Sequence, residues 1–285
     1  MKKKRIFELL FMISIVTACA TDTNESKEEI QVQKEDRIQE KPNEENATED
    51  LESIEDTDTV KETETVKDTI QKPMYKINDA HWGVEPLENA NDKVVLLTID
   101  DAPDQYGLQM AEVLKEQGVK AIFFVNGHFI DSAEEKAILK QIYDLGFSIG
   151  NHTWNHKNLK NLSEEEQFQE IVKLSDEIEA ITGARPSFFR APFGANTDYA
   201  RKLVKTEGMV LMNWTYGYDF MKDYMTKDSI ADIMVNTPLL TNGANLLIHD
   251  REWTFLALPE IVNGLKEKEY EFVDPKTIET GASSY

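Results

Sequence analysis

The sequence predicts an α/β fold with a parallel sheet covered on its outside by helices. From about residue 74 onward, short apolar runs alternate with longer amphipathic stretches about seven times. The runs are apolar throughout rather than at every second position, the pattern of strands buried on both faces. A (β/α) barrel and a doubly wound open sheet both satisfy this pattern. The first run is followed by Asp100-Asp101-Ala102-Pro103. A nucleotide-binding fold would carry a Gly-rich phosphate loop there, so that reading is weakened.

The elements follow in order. Residues 94–98, 121–125, 147–149, 187–190, 209–214, 245–249 and 270–273 are the predicted strands. Between them, residues 108–117 have helical spacing and stop at Gly118, and residues 133–145 stop at Gly146. Ser163-Glu164-Glu165-Glu166 is a capping box that opens a helix reaching Thr182, with Gly183 after it. Phe168, Ile171, Val172, Ile178 and Ile181 form its expected apolar face. Residues 196–206, 227–236 and 253–267 complete the helices. Pro259 lies inside the last and predicts a break or kink there.

The chain before this region is different. Met1-Lys2-Lys3-Lys4-Arg5 and the mostly apolar residues 7–16, interrupted by Glu8, read as a secretory signal, too short to span a membrane. Val16-Thr17-Ala18-Cys19 resembles the lipobox of bacterial lipoproteins, which makes Cys19 the expected lipidation site and residues 1–19 the signal peptide. Cys19 is the sole cysteine, so no intramolecular disulfide can form. From Ala20 to Lys72 there are 18 Asp/Glu against 7 Lys/Arg, a net of −11. Such a segment buries too little apolar surface to offset its ordering entropy, so residues 20–73 are expected to be a disordered acidic tether. The domain is expected over residues 74–285, and its size suits one core. The whole chain carries 31 Lys/Arg against 53 Asp/Glu, a net of −22, which argues against nucleic acid as a partner.

Polar residues collect where the apolar runs end. Asp100-Asp101 follows the first run, and Asn151-His152 through His156 follows the third. Arg190-Ala191-Pro192-Phe193-Gly194 follows the fourth, Trp214 and Asp219 the fifth, and His249-Asp250 the sixth. Chemistry in parallel α/β folds gathers at these C-terminal ends. Two histidines four apart can reach one metal ion from the same side. Each group has an ordinary alternative, such as a helix cap, a structural ion pair or a buried histidine. Their collection at one end argues against all of these at once. His81 and His128 have no such setting, and a structural role is expected for His128.

On these residues the chain resembles the polysaccharide deacetylases of the NodB-homology type, carbohydrate esterase family 4. The matching motifs are Thr98-Ile99-Asp100-Asp101-Ala102-Pro103, His152-Thr153-Trp154-Asn155-His156, Arg190-Ala191-Pro192-Phe193-Gly194 and Leu247-Ile248-His249, with a Trp/Asp segment between the last two. The resemblance covers about residues 93–273. It implies a distorted (β/α)7 barrel. The first motif departs at Ile99 and Ala102, where the family commonly has Phe and Gly. The fourth departs at Asp219-Phe220, where Asp-Trp is common.

The resemblance and the side-chain chemistry imply one set of roles. Asp101, His152 and His156 would hold a divalent ion, zinc by their mixed N/O character, with cobalt or nickel as substitutes. Asp100 would be the general base, oriented by Arg190. The backbone N–H of Phe193 would help to hold an oxyanion. His249 would be the general acid, tuned by Asp219. Trp214 and Leu247 would wall a pocket for an acetyl methyl. The expected activity is removal of N-acetyl groups from N-acetylglucosamine residues of peptidoglycan or chitin-like oligosaccharides. The expected protein is a monomer, lipid-anchored outside the cytoplasmic membrane and facing the wall. The alternative is a weakly active or inactive glycan-binding wall lipoprotein on the same fold.

Overall fold

A computed structural model describes residues 72–281. The expected signal peptide, Cys19 and nearly all of the expected tether lie outside the described residues. The described part opens with an antiparallel hairpin, β1 (Tyr75–Ile77) and β2 (Val84–Pro86). The alternating region follows: β3 (Val94–Ala102), α1 (Gly107–Glu116), β4 (Ile122–Val125), α2 (Ala133–Asp144), β5 (Ser148–Asn151), α3 (Glu164–Thr182), β6 (Phe188–Phe189), α4 (Asp198–Thr206), β7 (Val210–Leu211), α5 (Lys227–Asn236), β8 (Ala244–His249), α6 (Glu252–Glu267) and β9 (Glu271–Phe272).

Seven of these strands form one parallel sheet in the order β7-β6-β5-β4-β3-β8, with β9 also on β3. The two ends of this order, β7 and β8, do not pair directly. Instead the chain beyond β7 reaches across: Thr215 N–H donates to Asn245 O at 2.8 Å, and Leu247 N–H to Tyr216 O at 2.9 Å. This bridge curls the sheet into the distorted barrel that the resemblance implied.

β3 shows how the layers are built. All nine of its residues are buried. Val95, Leu97 and Ile99 pack outward with residues of α1, α2, α5 and α6. Val94 and Leu96 pack on the opposite face with Tyr75, Val84, Phe124 and Phe188, so the hairpin covers that end of the interior. Period-two alternation carries the inner column on to Thr98 and Asp100. The column thus turns from apolar to polar toward the C-terminal end of the strand, where the site lies.

The helix signals translate into caps. Ser163 accepts from Glu166 N–H and Glu166 from Ser163 N–H, and Gly183 ends α3 at φ 83°. Three expectations are corrected. Of the break or kink expected at Pro259, the break does not occur: α6 runs unbroken from Glu252 to Glu267 with Leu258, Ile261 and Val262 buried around it. Burial there outweighs the lost hydrogen bond. Phe168 is exposed, and the buried stripe of α3 holds Gln167 and Glu170 instead. Both are polar because both brace loops: Gln167 donates to Leu162 O and accepts from Thr197, and Glu170 accepts from Asn155. The two strands predicted over 187–190 and 209–214 shrink to two residues each. Their flanks leave the sheet to serve the site.

Candidate active site

The site begins with an irregularity in β3. Ile99 pairs with Phe123, but Ala102 pairs with Val125, so β3 carries one residue more than β4 across this interval. Adjacent side chains of a regular strand point to opposite faces. The extra residue, with Asp101 at φ 59°, breaks that rule. Asp100 and Asp101 can therefore both serve one site. Neither caps α1; Asp250 binds the approach to that helix, accepting from Asp104 N–H and Tyr106 N–H at 2.8 and 2.7 Å.

His152 and His156 lie in a loop after β5, not on a helical turn. Thr153 and His156 have φ of 70° and 53°. With Asp101 and Phe193, four left-handed non-glycine residues occur in the motif segments. Such conformations persist only where surrounding bonds fix them. The fixing bonds are present. Asn126 Nδ2 donates to His152 O at 2.7 Å, and Thr153 N–H donates to Asn151 Oδ1 at 2.9 Å. Buried Glu170 accepts from Asn155 N–H at 2.6 Å and from its Nδ2 at 2.8 Å. Trp154 packs so closely on Gly127 that a Cβ there would lie 2.3 Å from the indole. His128 is exposed and faces Trp154 O through its N–H and ring, which fits its expected structural role.

Asp101, His152 and His156 offer three donor atoms within 4.8 Å of one another. Asp101 Oδ1 lies 3.9 Å from His152 Nε2 and 3.5 Å from His156 Nε2. The tautomer of His152 follows from its other nitrogen. Nδ1 lies 2.7 Å from Arg190 O, which can only accept, so Nδ1 carries a proton and Nε2 is the nitrogen turned to the carboxylates. Burial, with His152 beside it, pushes His156 below the ordinary imidazole range. Two imidazole nitrogens next to a carboxylate oxygen are a divalent-metal donor set, and the residues fit such an ion.

Arg190 is fully buried and makes its bonds inward. It donates to Asp100 Oδ1 at 2.6 Å, to Thr98 Oγ1 at 2.8 Å and to Asn213 O at 2.7 Å. Its guanidinium lies 4.3 Å from the centre of the Phe124 ring. The other oxygen of Asp100 lies 3.5 Å from His152 Nε2. Asp100 is also the register partner of His249 on β8. Asp219 is fully buried beside His249, with Oδ1 2.7 Å from Nδ1. Burial works against a charged His249, but the Asp219 carboxylate, together with Asp100 and Asp101, outweighs it, and the imidazole titrates above its ordinary range. Trp253 Nε1 donates to Asp219 O, and Thr254 Oγ1 to Asp219 Oδ2.

Phe193 sits at φ 58° in a 3-10 turn whose internal bonds use the N–H groups of Gly194 and Ala195. Its ring is exposed and lies edge-on to His156 at 4.9 Å. Leu247 lies between Asn245 and His249 in the inward register of β8. Gly217 fits against it only without a side chain, since a Cβ would come within 2.6 Å of Leu247 O. Trp214 lies against the Phe193–Gly194 turn, its Cη2 3.5 Å from where a Gly194 Cβ would stand.

The structure thus gathers Asp100, Asp101, His152, His156, Arg190, Phe193, Asp219, Leu247 and His249, with Trp214 beside the turn. Sequence reasoning missed four participants. Arg251 donates to Asp101 Oδ2 at 2.7 Å, and Glu170 braces the histidine loop. Asn245 bonds Asn213 O beside Arg190, and exposed Phe220 lies 5.8 Å from the His249 ring. For Phe220 and Arg251, adjacency to Asp219 and to the His249-Asp250 end was the available signal.

Residues 88–212 match the family model for polysaccharide deacetylase. The peptidoglycan-N-acetylmuramic acid deacetylase PdaC of Bacillus subtilis is 32% identical over 211 residues, covering 73% of this chain and 43% of that protein. Its solved structure superposes with a TM-score of 0.58 over 65% of this chain and 89% of that chain. A peptidoglycan-N-acetylglucosamine deacetylase of Bacillus cereus is 30% identical over 190 residues, covering 64% of this chain and 86% of that protein. A pseudoenzyme of the CE4 family from Bacillus anthracis is 30% identical with a TM-score of 0.59, covering 65% of this chain and 64% of that chain.

Proposed function

Since this chain belongs to the polysaccharide deacetylase family, we propose that it hydrolyses N-acetyl groups of a wall glycan, with N-acetylglucosamine residues of peptidoglycan or chitin-like oligomers as substrate. One observation carries the reading. Two proton-handling groups, Asp100 and His249, share the site with the metal-donor trio, and each has its own buried partner, Arg190 and Asp219.

Asp101, His152 and His156 would hold the ion, zinc by the mixed donor set or cobalt or nickel in its place. Such an ion supplies polarisation of the acyl carbonyl and a more acidic water. Asp100 takes the proton of the attacking water, and Arg190 holds its carboxylate in place. The Phe193 N–H donates to the oxyanion as the acyl carbon becomes tetrahedral. An amine leaves poorly without a proton, and His249 supplies one. Leu247 and Trp214 are assigned to the acetyl methyl, and Phe220 joins them from the His249 side. Cys19 as the anchor and residues 20–73 as the tether would hold the domain outside the cytoplasmic membrane, facing this substrate. The domain is read as a monomer.

Named relatives act on N-acetylglucosamine and on N-acetylmuramic acid. Mass spectrometry of muropeptides after treatment of purified peptidoglycan distinguishes these sugars. Loss of acetyl mass from N-acetylglucosamine is the expected result; loss only from N-acetylmuramic acid would overturn the sugar assignment. Likeness to a pseudoenzyme supports a second reading, a glycan-binding protein with little turnover. Glycan binding without any mass loss would favour it.

A further inference from the structure

We propose that Arg251 is a positioning residue that holds the outer oxygen of Asp101, so that this carboxylate meets a metal ion through one oxygen only. The proposal rests on the metal-site reading above and adds to it a residue that the motifs do not contain.

The two oxygens of Asp101 have different surroundings. Oδ1 faces both imidazoles, at 3.5 and 3.9 Å. Oδ2 accepts from Arg251 Nη2 at 2.7 Å. The guanidinium is itself fixed. Its Nη1 donates to Asp250 O at 2.8 Å and reaches Asp104 Oδ2 at 3.4 Å. Asp250 is tied in turn to the backbone of Asp104 and Tyr106, and Arg251 occupies the N-cap position of α6. Arg251 is therefore held by the β8–α6 junction and by the loop that follows β3.

A guanidinium stays charged at any working pH and offers donors in a rigid plane. It cannot ligate a cation, and its positive charge weakens the pull of Asp101 on one. Its contribution is therefore orientation, not attraction. Asp101 needs that help, because it sits on a bulge in a left-handed conformation with no register partner on β4 or β8. A carboxylate with both oxygens free takes a divalent ion through one oxygen or two. With Oδ2 engaged, one oxygen remains for the ion, and more of its coordination positions stay open to water and substrate.

The test uses the full chain as wild type, Arg251→Met and Arg251→Lys, each confirmed as folded by thermal melting. Co2+ is titrated against a competing chelator, and the visible spectrum of the loaded protein is recorded. Arg251→Met should bind Co2+ about tenfold more weakly. Its visible bands should also fall in intensity, as both oxygens of Asp101 enter the coordination shell and raise its number. Arg251→Lys should recover part of the affinity, because one donor to Oδ2 remains. Wild-type affinity and spectrum in Arg251→Met would overturn the proposal. So would tighter binding, which would show that only the charge of Arg251 matters. If wild type itself binds no Co2+, the metal-site reading fails first; if wild type binds and Arg251→Met is identical to it, this proposal alone fails.

Discussion

Asp219 and His249 are joined twice. Asp219 Oδ1 lies 2.7 Å from His249 Nδ1, and Oδ2 accepts the backbone N–H of His249 at 2.5 Å. One carboxylate thus fixes the ring, its tautomer and the strand end that carries it. With Nδ1 protonated toward Asp219, Nε2 is the atom left to exchange a proton with substrate.

This pairing sets a pH dependence. Against the effect of burial, the Asp219 carboxylate is the main charge, with Asp100 and Asp101, that raises the imidazole above its ordinary range. A general acid works while protonated, so activity should persist above the usual histidine range and fall as pH rises through the raised value. Asp219→Asn removes the charge that raises it. Both proteins would carry the same metal, so its charge does not change the sign of the difference. The basic limb of the kcat profile should move to lower pH in Asp219→Asn; an unmoved limb would remove Asp219 from this role.

His249→Ala should separate substrates by leaving group. An amide needs its amine protonated, whereas an activated aryl acetate does not. The loss on N-acetylated glycan should be roughly 10²–10⁴-fold and much smaller on the aryl acetate. Equal losses on both would contradict the acid role.

Asp100→Asn keeps the shape of the Arg190 contact and removes the base. Glycan turnover should drop by roughly 10²–10⁴-fold while metal content, read by elemental analysis, stays at the wild-type level. A variant that retains turnover, or one that loses its metal, would mean that Asp100 has another role.

Glu170→Gln tests the brace behind the histidine loop. Glu170 accepts two bonds from Asn155, the residue before His156. An amide can accept at only one of its two ends, so one bond should be lost. Thermal stability should fall by about 2 kcal/mol, because a hydrogen bond to a buried charged group is lost. Metal affinity should weaken by up to about tenfold, because the loop that carries both histidines loses part of its support. Unchanged metal affinity in a destabilised variant would make Glu170 purely structural.

Long-range geometry explains what the sequence left hidden. α3 was legible because its capping box and terminal glycine are local signals. The order of site residues was legible because strand ends carry chemistry in a parallel sheet. The bulge was not, since Asp100 and Asp101 look like any acidic pair until β4 fixes their register. Glu170 was hidden because a carboxylate in an apolar stripe reads as a blemish. The hairpin over Tyr75–Pro86 was missed because three-residue strands show no periodicity. Asp219, with Phe220 where the family has Trp, was an ambiguous match by sequence; the fold places its carboxylate on His249.

The central claim is metal-dependent removal of acetyl groups by the site around Asp101. The most direct measurement is acetate release from purified peptidoglycan by the zinc-loaded chain, the same chain treated with a chelator, and Asp101→Ala. Release by the first alone, restored to the second by added zinc, is the predicted result. Release that survives both the chelator and the loss of Asp101, or no release by the zinc-loaded chain, would contradict it.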